Sequence, residues 1–228
     1  MDEAGVQVQW RVAGAGAAPA PAPAHGGSGF AVPVAPSRLV AFNGRDPGPG
    51  LQGIAVIGIA GQADRDQARV AIRVAILAEL GLLTGLPPER IALHAASGEA
   101  PYAQFDGPEG RRCAWLAISH DGELSLAAIS LHGAVGIDVT RILEIPDWQP
   151  VARDYLGPKI TMELGALPSE ARPTAFARAW SEREARLKCL GWPLAEWNPE
   201  AEPVVQACPC TALLLPEGYV GALALPPA

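Results

Sequence analysis

From residue 6 to residue 12 the chain reads VQVQWRV, apolar and polar by turns, the period-two signature of a strand with one buried face. Short apolar runs follow at 30–34 and 54–60, separated by Asp46-Pro47-Gly48-Pro49-Gly50, a strong turn signal. From 64 to 83 the period changes. Ile72, Ile76 and Leu80 recur every four residues, Asp64 or Asp66 can cap the start, and Gly85 with Pro87-Pro88 ends the run, which predicts a helix. Arg65, Arg69 and Arg73 repeat at the same spacing and share one face, either a solvated one or a stripe that meets an anion. Strand patterns return at 114–118, 124–131 and 135–139, with Ser119-His120-Asp121-Gly122 and His132-Gly133 read as the turns of a meander. A helical stretch around 148–155 and a strong helix over 175–190, ended by Gly191, come next. Two last apolar runs, 211–215 and 219–225, flank Pro216-Glu217-Gly218 and predict a hairpin. Each half therefore holds a long helix and several strands, an α+β pattern in which a structural duplication is expected.

Composition changes this picture little. The 25 Gly and 23 Pro make up about a fifth of the 228 residues, against roughly 12% in average usage. Disorder would need few apolar residues and much charge, whereas this chain is 49% hydrophobic and 18% charged. The excess divides between an Ala-Pro-Gly segment at 13–29, expected to be a mobile surface loop, and the turns between many short strands. A net charge of −7 argues against a surface that works by neutralising nucleic-acid phosphates, yet it leaves room for a local basic pocket. The longest apolar stretch, 54–60, is far short of the roughly 20 residues that span a bilayer. The acidic start Met1-Asp2-Glu3 lacks a signal-peptide pattern, and four irregularly spaced cysteines make no disulfide framework. A cytoplasmic, reduced setting is expected, with no membrane and no nucleic acid as partners.

Candidate chemistry concentrates in two places. Asp138 and Thr140 are two apart in a predicted strand, so both project from one face while Ile137 and Val139 turn to the core. A carboxylate on so apolar a strand needs a metal ion or a cationic side chain to compensate it. The second place is the helical run Trp180 to Lys188, with five charges in nine residues. Glu184 and Lys188 are four apart, in the order that favours a helical ion pair, and the same pair could flank a reacting phosphate. Ser119-His120-Asp121 is not a hydrolase triad, because three consecutive residues cannot take up the nucleophile, base and orienter positions among themselves. No phosphate-binding glycine motif occurs, and Cys208-Pro209-Cys210 lacks a second ligand pair for zinc.

Three segments in order, ISHDGELSLAAI (118–129), VGIDVTRI (135–142) and AFARAWSEREARLKCLG (175–191), resemble the surfactin-type 4′-phosphopantetheinyl transferases. That family shows an S-H-S/D segment, then G-[IV]-D-[IV]-[ET], then W-[ST]-x-K-E-[AS]-x-x-K at similar separations. The resemblance covers roughly residues 64–191. It implies a pseudo-twofold α+β fold of two similar subdomains, here 1–131 and 132–228, with coenzyme A in the cleft between them. It also implies transfer of the 4′-phosphopantetheine arm from coenzyme A to a serine of an apo acyl or peptidyl carrier protein, with release of adenosine 3′,5′-bisphosphate, by a magnesium-dependent monomer. A non-catalytic relative that binds coenzyme A or the carrier protein is the alternative reading.

Carried over by motif, Asp138 and Glu184 match magnesium-binding carboxylates, Lys188 a phosphate-contacting lysine, and His120 the histidine on the adenosine-side phosphate. Ser119, Arg183 and, by a looser correspondence, Arg73 are expected to face the coenzyme. Glu184 and Lys188 are the expected catalytic pair, with Glu184 accepting the serine proton directly or through water. Two carboxylates, waters and substrate phosphate oxygens suit magnesium, which prefers hard oxygen ligands. The sequence departs from the family pattern at Thr140, where many relatives carry a third carboxylate, so Thr140 is expected to act weakly or through a water. It departs again at Arg183 in place of lysine, at Ile160 in place of an acidic residue, and around Gly98, where a basic loop residue is missing.

Overall fold

The computed structural model describes residues 9–12, 38–41, 53–61, 64–96, 99–108 and 110–227. The runs at 13–29 and 30–34 and the turn at 46–50 lie outside the described residues, as do residues 97 and 98.

The predicted first helix is α1, Arg65–Thr84. Its cap is Asp64, whose carboxylate accepts from the N–H groups of Asp66 at 2.9 Å and Gln67 at 2.8 Å. Its end is Gly85 in the left-handed conformation, φ 70°, which costs a glycine little.

Seven strands form one antiparallel sheet: β1 (Gln9–Val12), β2 (Arg38–Ala41), β3 (Ile54–Ala60), β4 (Ile91–His94), β5 (Tyr102–Gly107), β6 (Gly110–Asp121) and β7 (Leu124–Ser130). Their order is β1-β2-β3-β7-β6-β5-β4. Three further strands, β8 (Gly136–Arg141), β9 (Cys210–Ala212) and β10 (Tyr219–Ala224), form a second antiparallel sheet in the order β8-β10-β9. The C-terminal hairpin is therefore present. Helices α2 (Trp148–Val151), α3 (Gly157–Gly165), α4 (Arg172–Leu190) and α5 (Glu202–Ala207), with a 3-10 turn at Pro88–Arg90 and a π-helical turn at Ala152–Leu156, complete the described structure.

Side-chain alternation along the central strands decides the packing. Ala55, Ile57 and Ile59 of β3 join Ala127 and Ile129 of β7 and the Ile72, Ile76 and Leu80 face of α1 in one core. The intervening residues, Val56, Leu124, Leu126 and Ala128, pack on Val135, Ile137 and Val139 and on Leu213 and Leu223 of the second sheet. The first sheet is thus covered by α1 on one face and by the small sheet on the other, while α4 lies on the far side of the small sheet, against β8 and β10. The result is mixed α/β with antiparallel sheets.

Two expectations are corrected. Ser119, His120 and Asp121 are not a turn but the end of β6, paired with Leu126, Ser125 and Leu124 of β7. The turn is Gly122-Glu123 alone, with Gly122 at φ 58°. Nor does 135–139 extend the meander. β8 leaves the first sheet and pairs with β10, about 80 residues later in sequence. Strands β4 and β5 and helices α3 and α5 lie outside the sequence expectations because each is short, and Pro stands in the first turn of both helices.

Candidate active site

The extension of β6 past Ile118 creates the site. Ser119 falls on the face that meets the second sheet, and His120 on the face that carries α1. β8 is an edge strand whose outer side meets the end of β6. The Val139 N–H, unpaired in its own sheet, donates to Ser119 Oγ at 3.3 Å. Asp138 is 5% exposed, and both its oxygens are engaged. Ser119 Oγ donates to Oδ1 at 2.6 Å, Lys188 Nζ donates to Oδ1 at 2.7 Å, and Thr140 Oγ1 donates to Oδ2 at 3.0 Å. A buried carboxylate needs this much compensation.

The helix α4 supplies the other wall. Ser181, Glu184 and Lys188 are three and four residues apart and share one face. Ser181 Oγ donates to the Asp138 carbonyl at 3.3 Å, fixing the helix against β8. Lys188 Nζ also donates to Ser119 Oγ at 3.2 Å and lies 3.7 Å from Glu184 Oε2. Burial holds the Glu184 carboxyl above its ordinary range, opposed by Lys188 and reinforced by the negative charge of Asp138.

These side chains line a cleft of about 480 Å³ that reaches α1. There Arg65 and Arg69 face His120, whose Nδ1 shares a 2.8 Å hydrogen bond with Ser125 Oγ. Burial pushes the His120 pKa down, and the charges of Arg65 and Arg69 push it further, with Asp121 opposing. Asp121 itself is held by Arg141, through Nε at 2.8 Å and the backbone N–H at 2.7 Å. One end of the cleft is therefore cationic and the other a pair of carboxylates bridged by an ammonium, a distribution that suits a ligand with several phosphates and a cation.

Of the residues singled out in sequence, the cleft unites Ser119, His120, Asp138, Thr140, Glu184 and Lys188. It does not include Arg73, which is exposed one turn beyond Arg69 and is not among the cleft residues. Nor does it include Arg183, whose guanidinium points to the opposite side of α4 and pairs with Glu202 at 2.9 Å. The helical period explains this, since a residue adjacent to Glu184 must turn about 100° away from it. Arg65, Arg69 and Trp180 join the lining instead. The four-residue arginine spacing had pointed to the first two, though not to which turn of the stripe faces the cleft.

Among the described residues no cysteine lines the cleft. Burial pushes the thiols of Cys189 and Cys210 up to about 12. Among the described residues no group of three or more His, Cys, Asp or Glu side chains could hold a metal ion by itself. The donor chemistry nevertheless fits magnesium. Asp138 and Glu184 present hard oxygens to one cleft, the donor type that magnesium prefers. Among the described residues no helix is long and apolar enough to cross a membrane.

No family model matches the chain. Its sequence is similar to two proteins whose names belong to one enzyme class, the 4′-phosphopantetheinyl transferases. Slr0495 of Synechocystis sp., named as a candidate member of that class, is 30% identical over 93 residues, 37% of this chain and 38% of that protein. HetI of Nostoc sp., named as a 4′-phosphopantetheinyl transferase, is 31% identical over 74 residues, 32% of this chain and 31% of that protein. The chain spans about a third of the length of the curated relatives it matches.

Proposed function

We propose that this chain transfers the 4′-phosphopantetheine arm of coenzyme A to a serine of an apo acyl or peptidyl carrier protein and releases adenosine 3′,5′-bisphosphate. The observation that carries this reading is the meeting, in one cleft, of residues from three separated motifs: Ser119-His120, Asp138 and Glu184 with Lys188. The names of the two similar proteins support it. We read the helix-covered sheets as the two halves of a duplicated fold, 1–131 and 132–228, working as a cytoplasmic monomer.

In this proposal His120, Arg65 and Arg69 hold the adenosine-side phosphate of coenzyme A. Asp138 and Glu184 would hold a magnesium ion, with Thr140 orienting Asp138, and the ion supplies neutralisation of the diphosphate and polarisation of the phosphorus. The carrier serine Oγ attacks that phosphorus. An O–P bond forms to the serine, and the bond from the same phosphorus to the adenosine 5′-phosphate oxygen breaks. The serine proton passes to Glu184, directly or through a water. Lys188 moves from Asp138 to the phosphoryl oxygens and stabilises charge there. Phosphoryl transfer depends mainly on positioning and charge neutralisation, and this reaction needs no nucleophile from the enzyme because the carrier supplies it.

The direct test is incubation with coenzyme A, magnesium and apo carrier proteins, followed by intact-mass measurement. The carrier should gain one phosphopantetheine. Glu184→Gln should reduce this gain at least 100-fold while the far-ultraviolet circular dichroism stays that of the parent. No gain on any of several carriers would overturn the proposal.

A further inference from the structure

We infer that Lys188 is the resident counter-ion of the free cleft, and that its ammonium must leave Asp138 before a divalent cation can occupy the site, so that cation and diphosphate bind as mutually dependent ligands. The inference rests on the function proposed above and adds a binding order to it.

Asp138 Oδ1 already accepts from Ser119 at 2.6 Å and Lys188 at 2.7 Å, and Oδ2 accepts from Thr140 at 3.0 Å. Each carboxylate oxygen has about two lone-pair positions, so Oδ1 is filled and Oδ2 half filled. Lys188 Nζ also stands 3.7 Å from Glu184 Oε2. It lies where a cation shared by the two carboxylates would sit, and two like charges cannot share that space in a partly buried cleft. Thr140 donates a hydrogen bond to Asp138 and carries no charge, so it cannot draw a metal in by itself. Among the described residues no third acidic group completes the set.

The partners differ in mobility. Ser119 and Asp138 are held by strands, and Ser119 is further pinned by the Val139 N–H at 3.3 Å. Lys188 sits on a four-carbon stem with a rotatable ammonium. A diphosphate entering the cleft offers anionic oxygens to Lys188 and draws it off Asp138. The vacated carboxylates then need positive charge. Binding of either ligand must favour the other by the same factor, as linkage requires. Lys188 is thereby a positioning residue for the cation as well as a phosphate contact.

The test uses the full chain and Mn²⁺ as the probe, with free Mn²⁺ followed by electron paramagnetic resonance and corrected for chelation by coenzyme A alone. Parent protein should bind Mn²⁺ at least tenfold more tightly with saturating coenzyme A than without it. Lys188→Met should bind Mn²⁺ without coenzyme A at least tenfold more tightly than the parent does, and Lys188→Gln should do likewise. Equal parent affinities with and without coenzyme A would overturn the inference. So would unchanged coenzyme-free affinity in both variants, provided their circular dichroism matches the parent. Failure of the parent to bind coenzyme A at all would instead remove the transferase reading on which the inference stands.

Discussion

Ser119 shows how a single hydroxyl can organise this site. Its proton goes to Asp138, and its lone pairs take the Val139 N–H and the Lys188 ammonium, so one small side chain joins β6, β8 and α4. His120, the next residue, looks the other way, toward Arg65 and Arg69. Its lowered pKa means that the free protein holds it neutral at pH 7. Between that lowered value and the usual 6.5 an unfolded chain binds the proton more readily, so this residue takes stability away as pH falls through the window. An anionic phosphate beside His120 would raise its pKa, and binding would then take up a proton. Affinity for adenosine 3′,5′-bisphosphate should therefore rise as pH falls from 8 to 6, and calorimetry in buffers of different ionisation enthalpy should register the proton. His120→Gln should flatten the trend to the slope of phosphate protonation alone. An equal slope in both proteins would exclude His120 from the anion site.

At the scale of elements, the relation between β8 and α4 decides whether chemistry is possible. Gly136 opens β8 at a point where an added Cβ would run into the Ala185 carbonyl and approach the Cys189 nitrogen to 2.6 Å, both backbone atoms of α4. The helix lies this close because the strand has no side chain there. Two residues on, the same strand presents Asp138, and the same stretch of helix presents Glu184 and Lys188. Gly136→Ala should push α4 outward and cost about 3 kcal/mol, at the upper end of overpacking penalties. Urea unfolding would measure that loss. The Lys188–Asp138 contact of 2.7 Å should lengthen with it, so transfer should fall further than stability alone accounts for. A variant of parental stability would show that the two elements have more room than the structure gives them.

Across the whole molecule, the cleft is walled by α1 and β6 on the side of the larger sheet and by β8 and α4 on the side of the smaller one. A ligand that fills it binds only when both are folded. At 100 times its dissociation constant such a ligand stabilises by about 2.7 kcal/mol. For a chain of this size that corresponds to roughly 5–10 °C in melting temperature. Coenzyme A with magnesium should produce this shift in differential scanning calorimetry as a single displaced transition. Two transitions of which only one moves would place the ligand on one side. The net charge of −7 sets a condition on the proposed partner at this scale, since an acidic carrier protein would be repelled over long range. Arg172 cannot contribute much to its recognition, being committed to the Leu164 and Leu167 carbonyls and lying 4.8 Å over Trp148.

The sequence by itself determined the elements whose order is local. The four-residue apolar repeat and the Asp64 and Gly85 caps set α1, the charged run after Trp180 set α4, and Pro216-Glu217-Gly218 set the last hairpin. It also singled out Asp138, Glu184 and Lys188, because charges on otherwise apolar strands and ordered helix faces are visible as residue types. Tertiary structure decided the rest. Residues 119–121 read as turn residues by composition, yet ladder bonds to β7 and the Asp138 carboxylate hold them in a strand. β8 abandons its sequence neighbour for β10 because its two faces must bury against the large sheet and α4 at once. Spacing said that Arg65, Arg69 and Arg73 share a face. Which of them meets His120 depends on where α1 lies across the sheet, and the packing of Ile72, Ile76 and Leu80 fixes that.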